Sequence, residues 1–196
     1  MDILSNTLTP DPLSGQVRKV VLIGLISALC VVTNYALLPL SNIKLMDTIV
    51  FVSGFLFGPT FGISVAVITW LIYGTLNPYG FSFPTLVSVV LGEMIYALAG
   101  YLVSRRPDIF LGGTWLSIQN IGSGVVGMFS TLLYDLFTNA VTGWLFYGSI
   151  LIGLLYMNFP LPLGIIHEVS NFLFFSLLAP PIIYTVKRRD LIHVYH

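Results

Sequence analysis

DTIVFVSGFLFGPTFGISVAVITWLIYG, residues 47–74, decides the fold. It holds two apolar segments with almost no linker between them. FGPTFG, residues 57–62, is the hinge. Pro59 cannot continue a helix, and Gly58 has the backbone freedom to leave one. Asp47 is by type a cap for the first segment, and Thr60 for the second. After Asp47 no charged residue occurs until Glu93. A stretch that long without charge requires a non-aqueous solvent. The segment therefore reads as a tight hairpin of membrane helices.

The whole chain has the same character. Of its 196 residues 56% are hydrophobic and 8% charged, with a mean hydropathy of +0.93. Soluble domains carry about 25% charged residues, so that class is excluded. A helical span takes roughly 20 residues, and six spans use about 120. The formal net charge is zero, which leaves no electrostatic case for nucleic acid. The single cysteine, Cys30, lies in an apolar run and excludes an intrachain disulfide. No glycine loop with its lysine for ATP, no zinc motif and no Gly-x-Ser-x-Gly elbow is present. The expectation is a chain with no catalytic residues, metal or cofactor.

The expected fold is an all-α integral membrane protein with six transmembrane helices and both termini cytoplasmic. Residues 1–16 read as a flexible arm, 17–189 as the membrane domain and 190–196 as a tail. The spans fall near 20–38, 47–57, 61–73, 85–103, 118–147 and 165–186. A hydrophobic connector, residues 148–164, precedes the last span. Parity supports this division. With six spans, Arg18, Lys19, Arg105, Arg106, Lys187, Arg188 and Arg189 share the cytoplasmic side. Only Lys44, in a short external loop, falls outside, as the positive-inside rule requires.

Polar groups at membrane depth cost at least about 2.5 kcal/mol when charged, so their positions carry information. Thr131, Asp135, Thr138, Asn139 and Thr142 form one helical stripe. His167, Ser170 and Asn171 share a face, with Glu168 pointing away. Glu93 and Tyr96 are neighbours near the middle of their helix. The helix directions put Asn34, Asp135, Asn139, Thr142, His167 and Asn171 in the outer half. The expected ligand-binding set is therefore Asn34, Glu93, Tyr96, Asp135, Asn139, Thr142, His167 and Asn171. Asn77, Tyr79, Phe81 and Trp144 are candidates to cover the pocket. Polar residues in bundles also bond neighbouring helices, and for Asn34 and Ser170 that role stands beside the binding one. Asp135 with Asn139 favours a pocket, because a lone buried carboxylate is costly. Two carboxylates, Glu93 and Asp135, favour a ligand with donor or cationic groups.

Gly24 and Ala28 form a small-xxx-small pair that admits close helix approach. With this pair, the compact FGPTFG hairpin, six spans and the stretches YDLFTN (134–139) and HEVSN (167–171), the chain resembles the substrate-binding S components of energy-coupling factor (ECF) vitamin transporters. The resemblance implies a cavity near the outer face for a vitamin-like small molecule. It also implies partners: a transmembrane coupling protein, contacted through Gly24 and Ala28, and two ATPase subunits that hydrolyse ATP. It places the protein in the plasma membrane of a prokaryote. No signature of the thiamine, biotin or riboflavin subfamilies is present. Two other readings of the same residues stay open. One is a membrane scaffold or assembly protein, and the other a solitary proton-coupled transporter.

Overall fold

The computed structural model describes residues 12–78, 80–112, 117–158 and 163–188. Among these every regular element is helical. The order is α1 (Pro12–Ala36), α2 (Met46–Phe57), α3 (Pro59–Thr75), α4 (Phe83–Ser104), α5 (Pro107–Phe110), α6 (Ile118–Tyr147), α7 (Ile150–Asn158), α8 (Leu163–Leu177) and α9 (Ala179–Arg188). By length and composition four segments can cross a membrane: Gly15–Ala36, Phe83–Ser104, Ile118–Tyr147 and Gly164–Arg188. The hairpin helices α2 and α3 are shorter apolar helices of 12 and 17 residues.

The hairpin forms where the sequence predicts, but its caps differ. Gly58 sits between α2 and α3 with φ 87° and ψ 171°, and its N–H caps α2 on the Gly54 carbonyl. That backbone region is essentially open to glycine alone. Pro59 then starts α3 with its missing N–H at a position that needs no partner. Thr60 lies inside α3 and makes no cap, because Gly58 already holds that place. Asp47 is also not a cap. It lies in the first turn of α2, 1% exposed, and its carboxylate turns into the bundle.

Burial explains why α2 is short. At about 1.5 Å per residue it spans about 18 Å, against about 30 Å of hydrocarbon. Nearly every residue from Met46 to Leu56 is buried, the pattern of a helix enclosed by protein on all sides. Its neighbours come close because glycines line the contacts. A Cβ on Gly54 would collide with the Ala97 carbonyl of α4, and one on Gly100 with the Phe51 carbonyl of α2. Phe51, Phe175 and Tyr96 fill the centre, with the two phenylalanine rings 4.7 Å apart.

Helix α6 runs unbroken to Tyr147, as expected, and stops at Gly148 in a left-handed conformation (φ 63°). The connector contains a helix, α7, which returns against α6 through Gly143 and Gly153. On the other side, Gly124 and Gly127 let α8 approach, with a Cβ at Gly127 meeting the Phe175 ring. The expected last span is present as Gly164–Arg188, with a one-residue interruption: α8 ends at Leu177 and α9 begins at Ala179. Pro180 and Pro181 lack the N–H groups that would continue the ladder, which accounts for the break.

Candidate functional site: a cavity backed by a buried polar network

A cavity of about 460 Å³ opens at one end of the bundle. Its walls are the C-terminal end of α1, the α1–α2 loop, the last turns of α3, the first turns of α4 and the C-terminal half of α6. Arg18 and Lys19 lie early in α1 and Arg105 follows α4, so helix direction puts these basic residues at the opposite end. Lys187 joins them: its ammonium lies 4.7 Å from the Phe55 ring, at the far end of α2 from Asp47.

Of the residues expected to bind ligand, Asn34, Asp135, Asn139 and Thr142 line this cavity, and so does Asn77. Glu93, Tyr96, His167 and Asn171 do not. They are completely buried behind the wall. Phe81 and Trp144, expected to cover the pocket, are 55% and 63% exposed and do not line it. Tyr79 lies outside the described residues. Gly24 and Ala28 lie on an exposed face of α1.

Three of the buried residues, Tyr96, His167 and Asn171, join Asp47, Thr131 and Asp135 in one network across four helices. His167 of α8 sits between two carboxylates. Its Nε2 is 2.9 Å from Asp47 Oδ2, and its Nδ1 is 3.1 Å from both oxygens of Asp135. Carboxylates only accept hydrogen bonds, so satisfying both contacts takes two protons within the trio. Either the ring holds both, or one carboxyl keeps one. With two protons the trio carries net charge −1, and with a third it is neutral. Asn171 Nδ2 donates to Asp47 Oδ2 and to Thr131 Oγ1, each at 2.7 Å. Tyr96 extends the chain from α4, its hydroxyl donating to Thr131 Oγ1 at 3.1 Å. The helical spacing predicted the stripe on α6 and the face of α8. It did not predict that Asp47, 120 residues from His167, is the common partner of His167 and Asn171. The only signal was its place as the last charge before a long uncharged stretch.

The cavity-facing layer is aromatic. Trp70 and Tyr73 of α3 and Tyr134 of α6 line it. The Trp70 indole N–H donates to Glu93 Oε2 at 3.1 Å, which fixes the ring plane. Tyr134 stands edge-on to the His167 ring, with centroids 5.9 Å apart. Thr138 and Thr142 donate their hydroxyls to their own helix at 2.8 Å, leaving oxygen lone pairs toward the cavity. Asn34 places its carbonyl oxygen in a buried position with no hydrogen-bond partner among the described residues. Lys44, expected as a plain external loop residue, also lines the cavity.

An apolar helical bundle with an aromatic-lined cavity at one end defines a class, the solute-binding membrane proteins. The family comparison gives the particular one. A model of the ECF transporter, substrate-specific component, matches residues 18–185. The match covers most of the chain, so the protein belongs to this family and is a substrate-binding component of a membrane transporter. No curated protein and no solved structure matches the chain.

Proposed function

We propose that the protein captures a vitamin-sized micronutrient in this cavity from outside a prokaryotic cell and delivers it inward. Delivery is driven by a transmembrane coupling protein and two ATPase subunits. The reading rests on family membership and on one observation: Asp135 forms part of the cavity wall while His167 holds its carboxylate from behind. A carboxylate fixed this way keeps lone pairs for a ligand donor and needs no rearrangement on binding. The cavity volume falls within the usual range for small-molecule sites. The basic residues at the other end favour six spans with the cavity facing outward and both termini inside.

The test is mass spectrometry of small molecules released from the purified, denatured protein. The expected result is one compound in stoichiometric amount, absent from Asp135→Ala. ATP-dependent uptake by the complex with coupling and ATPase subunits is expected to fall at least tenfold in the same variant. Uptake that Asp135→Ala leaves unchanged removes the site, and uptake without ATPase subunits removes the mechanism.

A further inference from the structure

The most unusual occupant of the cavity is part of the chain itself. Lys44, in the α1–α2 loop, reaches inward with its ammonium 5.3 Å from the centroid of the Trp70 ring and 5.4 Å from that of Tyr134. Among the described residues no carboxylate lies within ion-pair distance of it. The position is nevertheless suited to positive charge. Two ring faces present their negative quadrupoles. The Trp70 N–H donates to Glu93, which holds that ring in place. Asp135, one of the two carboxylates beside His167, borders the same cavity. The two rings and the Asp135 carboxylate together make the position favourable for a cation.

Resting on the transport reading above, we propose that the Trp70–Tyr134 pair is a cation subsite, and that Lys44 occupies it in place of a positively charged nitrogen group of the substrate. The substrate group takes the space between the rings, and the long, partly buried Lys44 side chain withdraws toward solvent. One positive group then faces the two rings in both states. The substrate class that follows is a cationic nitrogen compound, a quaternary or ring-borne ammonium, with an apolar body for the aromatic wall. Lys44 then acts as an internal competitor that weakens binding, the opposite of a lysine that pairs with a substrate anion.

The experiment compares choline with its uncharged isostere 3,3-dimethyl-1-butanol. Binding is read as the shift in thermal unfolding midpoint of the purified chain in a maltoside detergent. Choline is expected to raise the midpoint saturably, and the alcohol to have no effect at the same concentrations. Lys44→Met is expected to bind choline about tenfold more tightly, because the competitor is gone. Adding Trp70→Leu to that variant is expected to remove the response. Lys44→Gln repeats the comparison should Lys44→Met not fold. Equal responses to both probes, no choline response in either Lys44 variant, or unchanged affinity would overturn the proposal. A released native compound that is acidic or uncharged would overturn it too, while leaving the transport reading intact.

Discussion

At the scale of the residue, His167 is the position with most at stake. It is fully buried and separates two carboxylates that face each other across the bundle. Removing one member of such a set leaves the others buried and uncompensated. His167→Ala is expected to cost about 3–5 kcal/mol, measured as a lowered unfolding midpoint in detergent. Asn171→Ala removes donors to Asp47 and Thr131 but no charge. Its expected cost is smaller, about 1–3 kcal/mol, by the same assay. A loss from Asn171→Ala equal to that from His167→Ala would show that packing and not charge sets the cost. The sequence made several of these residues visible. Asp135, His167 and Asn171 stand out because polar groups are rare in apolar helices. Asp47 and Lys44 did not, since a charge beside a helix start or in a loop has an ordinary explanation.

At the scale of the element, the α2–α3 hairpin and the α2–α4 contact depend on what glycine lacks. Gly58 adopts a conformation closed to residues with a Cβ. Gly58→Ala is therefore expected to destabilise the fold by about 1–3 kcal/mol, although no atom lies near the added methyl. Gly100→Ala meets the opposite situation. Its backbone tolerates alanine, but the methyl would collide with the Phe51 carbonyl. The expected cost is about 1–3 kcal/mol of overpacking, again read by thermal unfolding. Gly58 could be identified from sequence because Gly-Pro between two apolar runs has a known turn chemistry. Gly100 could not, since its role exists only once α2 lies beside it. The interruption between α8 and α9 was not read from the sequence either, since hydropathy runs through it and the expected span covers it whole.

At the scale of the molecule, α1 presents a free face. Among the described residues no atom lies within 4 Å of a Cβ added at Gly24, and Ala28 is exposed one turn on. Under the proposed function this face meets the coupling protein. Gly24→Trp with Ala28→Trp is expected to leave the unfolding midpoint and ligand retention unchanged. Co-purification with the coupling protein is expected to be lost. Retained co-purification would move the partner surface elsewhere on the bundle.

The sequence by itself determined the solvent, the all-helical class, the tight hairpin and the long sixth helix of the bundle. Each is set by local quantities: apolar length, the absence of charge, and the stereochemistry of Gly-Pro and of glycine at a helix end. It also determined which polar residues on α6 and α8 turn inward, because helical periodicity fixes a residue's face. Tertiary structure alone decided which of them reach the cavity and which stand behind it. Asn34, Asp135 and Asn139 line the wall, whereas Glu93, Tyr96, His167 and Asn171 support it. It also turned Asp47 from a cap into the partner of His167 and brought Lys44 between two rings. Periodicity gives direction around one helix axis, but depth and partner depend on where the other axes lie. Those are fixed by close packing between glycine-lined surfaces far apart in the chain.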